Sequence, residues 1–123
     1  MAYSMSHDHH NIVVVGVNEL DMAQSVKVIQ EMQGGLCVVR NGEVMAKMRL
    51  PIGGLMSEQD AGTGMRELDG LNAAARSLGC RGSAPFMTLS FISLPTVPEL
   101  GLTDMGLVDV LEHRLIPVEI PEK

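Results

Sequence analysis

The distribution of hydrophobic and polar positions first predicts a buried strand followed by an amphipathic helix. Residues 12–15 are a continuous β-branched run, which is typical of a strand covered on both faces. Asn18 is suited to cap the next helix, with Asp21 three residues further on, and apolar side chains recur at helical spacing as far as Met32. The glycine pair at 34–35 then ends the helix.

A β-hairpin is predicted directly after this helix. Residues 36–39 are apolar, and the Asn-Gly dipeptide at 41–42 favours a type I′ turn because both of its residues tolerate positive φ. The returning strand, residues 44–50, alternates apolar side chains with Lys47 and Arg49. This alternation predicts a strand with one solvent-exposed face.

The second half predicts one more helix and one or two strands. Ser57 and Asp60 form a capping signature, and the apolar stripe from Met65 to Leu78 predicts a helix that packs into the core. Residues 87–91 alternate like a fourth strand, after which prolines predict an irregular segment and a turn. A last short strand is possible near 115–120. The order of elements predicts an α+β fold, a two-layer sandwich of a mostly antiparallel sheet of about four to five strands with two main helices.

Composition and charge narrow the class of protein. A chain of 123 residues with 46% apolar content fits one domain, residues 1–123. The formal charge is −6 and the basic residues are dispersed, so we expect no nucleic acid partner. No apolar run approaches the about 20 residues that a membrane helix needs, so no membrane association is expected. Cys37 and Cys80 are interpreted as reduced thiols, which favours a cytoplasmic location.

Candidate chemistry is concentrated ahead of the first predicted strand. His7, Asp8, His9, His10 and Asn11 follow one another there. A polar cluster at the entrance of a strand is a common location for an active site, but His7, Asp8, His10 and Asn11 could also be a hydrogen-bonded network at a strand entrance. It stands so close to the first residue that we expect the chain to be the end of a larger protein.

A metal site is a weaker interpretation of the same segment. His7 and His9 would share one face of an extended strand and could chelate zinc or nickel. A third ligand would have to come from elsewhere. The metal candidates are therefore limited to His7 and His9.

Five strings of residues are long and unusual enough for comparison with known families. They are His-Asp-x-His-Asn-Ile at 7–12, Leu-Pro-Ile-Gly-Gly-Leu-Met-Ser at 50–57, Pro-Phe-Met-Thr-Leu-Ser-Phe at 85–91, Val-Pro-Glu-Leu at 97–100 and Leu-Thr-Asp-x-Gly-Leu-Val-Asp at 102–109. Together they resemble the C-terminal domain of microbial adenine deaminases of the amidohydrolase superfamily. The resemblance covers nearly the whole chain, in order. His9 departs from it, because the family pattern has a small residue at that position.

The resemblance implies that the full-length enzyme converts adenine and water to hypoxanthine and ammonia. It also implies a partner, the (β/α)8 barrel that carries a Mn or Fe centre and precedes this domain. We therefore expect no cofactor in the isolated chain and no activity from it. An apolar, methionine-rich surface left uncovered would promote self-association, so a homo-oligomer is expected.

Two sets of site residues follow from the resemblance. Near the substrate, or supporting the groups that contact it, we expect His7, Asp8, His10 and Asn11. The loop that would lie over a substrate channel or against the barrel contributes Gly53, Gly54, Met56 and Ser57. The same loop could instead be a plain connector that needs positive φ twice.

Two other classes of protein remain open at this point. A free-standing binding or assembly module without catalysis would use the same fold to bind a small ligand or a partner chain, and it predicts a fully polar outer surface. A small metal-binding protein would be built on His7 and His9, and it predicts stoichiometric metal.

Overall fold

Two antiparallel sheets and three helices make up the part of the chain that the computed structural model describes, which is residues 1–7, 9–97 and 99–119. Asp8, Pro98 and residues 120–123 lie outside it, so the prediction for Asp8 and the end of the last predicted strand fall on undescribed residues. The elements are β1 (Ala2–Tyr3), β2 (Val13–Val14), α1 (Glu19–Met32), β3 (Gly35–Arg40), β4 (Glu43–Arg49), α2 (Ala61–Ser77), α3 (Pro85–Ile92), β5 (Leu100–Thr103), β6 (Gly106–Asp109) and β7 (Arg114–Ile116).

The start of α1 and the hairpin turn form as predicted and are joined by one carboxylate. The Asn18 side chain accepts a hydrogen bond from the Asp21 backbone N–H at 2.8 Å and caps the helix. Asn41 and Gly42 both have positive φ, 53° and 80°. The Asp21 carboxylate accepts hydrogen bonds from both of their backbone N–H groups, at 3.0 and 2.7 Å. The turn is therefore fixed against the first turn of the helix.

The larger sheet has the strand order β2-β1-β3-β4, and all its neighbouring strands are antiparallel. Leu36 and Val38 of β3 belong to the apolar cluster formed with α2 and α3, whereas Cys37 and Val39 belong to the cluster formed with α1. The predicted α+β class and the antiparallel sheet of four strands are confirmed. The layers differ from the prediction, because β3 is buried on both faces and the sheet lies between α1 and the other two helices.

The first predicted strand is shorter and more exposed than its apolar run indicates. Only Val13 and Val14 are in β2, which is an edge strand and is half-buried. Ile12 and Val15 are exposed. The prediction of a strand covered on both faces is wrong because β1 takes the position beside β3 and leaves β2 at the edge. The sequence pattern of residues 2–3 did not predict β1.

Helix α2 is capped by Asp60, whose carboxylate accepts from the Thr63 backbone N–H at 3.0 Å. Of the predicted core stripe, only Leu71 and Ala75 are buried. The prediction is wrong for the ends of the stripe, which extend beyond the apolar cluster: Met65, Leu68 and Leu78 are exposed.

The predicted fourth strand at 87–91 is wrong, because this segment belongs to α3. Pro85 stands at the first helical position, where its fixed φ and missing N–H favour a helix start. Phe86, Leu89 and Ser90 are buried, at helical spacing. Alternation imitated a strand because the helix is apolar on its exposed side as well, with Phe91 about two-fifths exposed.

The C-terminal part forms a second, three-stranded sheet in the order β5-β6-β7. The predicted turn at 103–106 is present as the connection between β5 and β6, closed by a hydrogen bond from the Thr103 hydroxyl to the Gly106 carbonyl at 2.9 Å. β7 overlaps the start of the predicted last strand. None of the helices within the described ranges is long and apolar enough to cross a membrane.

Candidate functional site

The N-terminal segment that contains His7, His9 and His10, which we call the histidine segment, lies on the C-terminal half of α3. The backbone N–H of His7 donates to the Ser90 hydroxyl at 3.1 Å. The His7 ring stacks on the Phe91 ring, with centroids 5.6 Å apart and planes inclined by 28°. Both rings are exposed to solvent. His7, one of the predicted site residues, is therefore held at the surface by α3, a segment for which the sequence pattern predicted a strand.

His9 forms a second link to the same helix. Its Nε2 lies 2.9 Å from the Ser6 hydroxyl and 3.1 Å from the Ser93 hydroxyl, and the two hydroxyls are 2.8 Å apart. Ser6 is fully buried, and Ser93 also donates to the Ser90 carbonyl at 3.1 Å. We call Ser6, His9 and Ser93 the His9 cluster.

The tautomer of His9 limits the chemistry of this cluster. Nδ1 accepts a hydrogen bond from the Asn11 backbone N–H at 3.3 Å. A neutral imidazole that accepts at Nδ1 carries its proton on Nε2 and donates from there. His9 in this form cannot take a proton from Ser93, so the cluster does not have the arrangement of a serine nucleophile and its base. It functions as a hydrogen-bonded link between the segment and α3.

His10 and Asn11 follow the cluster at the surface. His10 has a positive φ of 48°, and its backbone N–H donates to the Ser6 carbonyl at 3.0 Å, which closes a turn. Both residues are exposed. The structure thus brings His7, His10 and Asn11 to one turn, while Asp8 is outside the described residues.

The described residues of this segment do not by themselves form a site that fits Mn or Fe. Within residues 1–7, 9–97 and 99–119, no three His, Cys, Asp or Glu side chains come together in a way that could hold a metal ion. Both ring nitrogens of His9 are hydrogen-bonded. A metal on His7 and His9 stays a prediction from their spacing alone.

The second predicted set lies in a tight loop, which we call the glycine loop and which contains Gly53, Gly54, Met56 and Ser57. Gly53 and Gly54 both have positive φ, 64° and 75°, as the pattern predicts. The Ser4 hydroxyl donates to the Gly54 carbonyl at 2.7 Å, and Gly54 is buried against Gly34. A Cβ on Gly34 would lie 2.4 Å from the Gly54 Cα, so the two backbones touch.

The outer side of this loop is exposed. Met56 is 58% exposed, and a Cβ on Gly53 would meet nothing within 4 Å. Ser57 accepts a hydrogen bond from the Gln59 N–H at 3.1 Å and does not cap α2. The loop therefore has an anchored inner side and an exposed outer side, and its contact with another domain stays a prediction.

Exposed methionines are also present, as expected for a domain with an uncovered apolar surface. Among the described residues, the methionines that are at least 40% exposed are Met5, Met45, Met56, Met65, Met87 and Met105. This is at odds with the fully polar outer surface that a free-standing module predicts.

Sequence reasoning missed the residues that hold the histidine segment. Ser6 is buried, and Ser90 and Ser93 are about 85 positions away in the chain from the groups they bind. One signal that could have found them is the helical spacing of Phe86, Leu89 and Ser90, which the strand-like alternation concealed.

A family model supplies the class to which this architecture belongs. Residues 1–114 match the model of the adenine deaminase C-terminal domain. The chain belongs to this family, as the resemblance of its five strings indicated.

Curated relatives agree with that assignment. The chain is 59% identical over 120 residues to an adenine deaminase of Desulforamulus reducens, 45% identical over 119 residues to one of Dehalococcoides mccartyi strain 195 and 44% identical over 122 residues to one of Shigella sonnei. These matches cover 97–99% of the chain but 20–21% of the relatives. The chain therefore spans about a fifth of the length of the curated relatives it matches.

Proposed function

We propose that this chain serves as the C-terminal domain of an adenine deaminase, which converts adenine and water to hypoxanthine and ammonia. The observation that carries the proposal is the 59% identity to a protein of that name over 98% of this chain and only 20% of the relative. The remaining part of such a protein would supply the barrel and its Mn or Fe. On this proposal the chain alone does not deaminate adenine.

The surface that we propose to contact the barrel is the sheet β5-β6-β7. Its strands pack mainly against one another, and the contact of Gly101 with Pro95 is one of its links to the preceding segment. Leu102, Met105 and Leu111 are each more than 70% exposed. Because a small sheet needs a packed apolar face to be stable, a covering domain would stabilise it.

The histidine segment and the glycine loop are proposed to face the barrel as well. His7, Asp8, His10 and Asn11 would then lie near the substrate or support groups that contact it. The loop of Gly53, Gly54, Met56 and Ser57 would lie at the boundary, with its exposed side at Gly53 and Met56 facing the barrel. Assembly into a homo-oligomer and a cytoplasmic location belong to the same proposal.

A chimera tests the proposal. Residues 1–123 replace the matching fifth of the Desulforamulus reducens relative, and hypoxanthine formation from adenine is measured with Mn(II) or Fe(II). The unaltered relative, the relative without its matching fifth, and the isolated chain are the controls. We expect deamination by the chimera and none by the isolated chain.

Two results would contradict the proposal. One is adenine turnover by the isolated chain. The other is an inactive chimera that still binds metal as the unaltered relative does, since the barrel would then be intact and the domain would have failed to complete the enzyme. A separate test of packing is amide hydrogen exchange, in which β5, β6 and β7 should exchange more slowly in the chimera than in the isolated chain.

A further inference from the structure

One short stretch of α3 and its C-cap contacts two of the three histidines of the N-terminal segment, His7 and His9. Ser90 accepts from the His7 backbone, Phe91 stacks on the His7 ring, and Ser93 lies 3.1 Å from the His9 Nε2. These contacts differ in kind, since one fixes a backbone, one the plane of a ring and one the edge of a ring. Together they restrict the position and the orientation of the segment.

The helix that provides these contacts is itself fixed in the core. Phe86 is 4% exposed and packs edge to face on Tyr3, with ring centroids 6.1 Å apart. Leu89 and Ser90 are also buried. A side chain on the exposed flank of such a helix has a rigid base, so α3 can serve as a platform on which surface groups are oriented.

Stacking engages the face of an imidazole ring and not its ring nitrogens. The ring nitrogens of His7 lie in the ring plane, whereas Phe91 engages its face, so the stack and an in-plane hydrogen bond are compatible. His7 and Phe91 are both exposed, which places the pair at a surface that a neighbouring domain can reach.

We propose that Ser90, Phe91 and Ser93 are positioning residues, which hold His7 and the turn that follows it in the orientation the assembled deaminase uses. This inference rests on the proposed function. None of the three is proposed to react; they act through the histidine segment, and Phe91 acts specifically on the His7 ring plane.

Nuclear magnetic resonance of the 123-residue chain tests the positioning without any enzyme assay. The ring protons of His7, assigned with a His7→Ala variant, should carry a ring-current shift from Phe91. In Phe91→Leu this shift should be lost, and in Phe91→Tyr it should be retained because the ring is kept. Ile92→Val, an exposed substitution on the next position of α3, is the matched control and should leave the His7 resonances in place.

The chimera described above tests whether the orientation is used. His7→Ala and Phe91→Leu should each lower kcat, by up to about a hundredfold if a group near the substrate is displaced by about 1 Å. The double variant should be no slower than the slower single variant, because both remove the same placement. Phe91→Tyr should restore kcat toward that of the unmodified chimera, and KM should change less than kcat.

The outcomes separate the inference from the proposed function. His7 resonances in Phe91→Leu that match those of the parent chain would overturn the inference directly. An active chimera in which His7→Ala lowers kcat and Phe91→Leu does not would also overturn it, while leaving the proposed function supported. An active chimera unaffected by His7→Ala would overturn it too, since there would be no orientation to maintain.

Discussion

A methyl group added at Gly34 would test whether the contact between two backbones anchors the glycine loop. In Gly34→Ala the new Cβ would lie 2.4 Å from the Gly54 Cα and 2.9 Å from the Leu50 carbonyl oxygen, and Gly34 has a φ of 114°, which L side chains rarely adopt. Neither obstacle is the flexible end of a side chain. The loop or the end of α1 would therefore have to move.

The magnitude follows from two separate costs. An unfavourable φ costs about 1–3 kcal/mol, and overpacking at a close contact costs about 1–3 kcal/mol more. Gly42→Ala is the matched control, because Gly42 also has a positive φ, 80°, but a Cβ there would meet nothing within 4 Å. The difference between the two variants measures mainly the cost of the two close contacts of the new Cβ, with the Gly54 Cα and with the Leu50 carbonyl oxygen.

Urea unfolding at neutral pH measures this difference. With a slope of about 2 kcal/mol per molar urea, a contact cost of about 2 kcal/mol separates the two midpoints by about 1 M. We expect Gly34→Ala to unfold at the lower urea concentration, or to be unfolded already in buffer while Gly42→Ala is folded. Equal midpoints for the two variants would refute the reasoning, because the close contacts of a Cβ at Gly34 with Gly54 and Leu50 would then carry no cost.

Three further predictions follow from burial and hydrogen bonding. Asp21→Asn should lower the stability of the chain at pH 7 and flatten the decline of stability in acid. Hydrogen bonds, first from Asn18, lower the pKa of Asp21 below its usual 3.8, so the stability that Asp21 contributes is present above pH 3.8 and is lost as the pH falls through the lowered pKa. Urea midpoints from pH 7 to 2 check this, and parallel profiles for the two proteins would contradict it. Leu71→Ala should lower the free energy of unfolding by about 2–5 kcal/mol because Leu71 is fully buried. Leu102→Ala should change the free energy of unfolding of the isolated chain by less than about 0.5 kcal/mol because Leu102 is 76% exposed. Similar unfolding midpoints for both variants would contradict the assignment of the core. Cys37 should be alkylated by iodoacetamide more slowly than the half-buried Cys80, since Cys37 is fully buried and burial raises the pKa of its thiol; mass spectrometry of peptides locates the label, and faster labelling of Cys37 would show that β3 is accessible.

Local signals predicted α1 and the hairpin well. The cap at Asn18 and the turn at 41–42 depend on residues three positions apart or fewer, and the structure contains both. The partnership of Asp21 with that turn could not be predicted, because it joins residues about 20 positions apart through the packing of α1 on β3.

Helix α3 shows where a period of two misleads. Its sequence is apolar on almost every side, so Met87, Leu89 and Phe91 alternate with Thr88 and Ser90 by coincidence. Pro85 was the better signal, since it fixes the φ of a first helical turn. The apolar exposed side of this helix also matters for the candidate site, because it places Phe91 at the surface, where the His7 ring stacks on it.

The sequence predicted the candidate segment as a group of residues, but not the contacts that hold it. The cluster from His7 to Asn11 was predicted as a group, and the described residues of it do form one turn. His9 stood out as a departure from the family pattern and as a possible metal ligand, and neither feature predicted its contacts. Its bonds to Ser6 and Ser93 show that it links the segment to α3, and this depends on a helix that the sequence pattern did not predict.

The proposed role of this chain in an adenine deaminase is tested most directly by the rate of hypoxanthine formation in the chimera that joins it to the remaining part of the Desulforamulus reducens relative. We expect metal-dependent deamination by the chimera, little or none by the same relative without its matching fifth, and none by the isolated chain. A chimera that binds metal as the relative does but forms no more hypoxanthine than the shortened relative would contradict the proposed role.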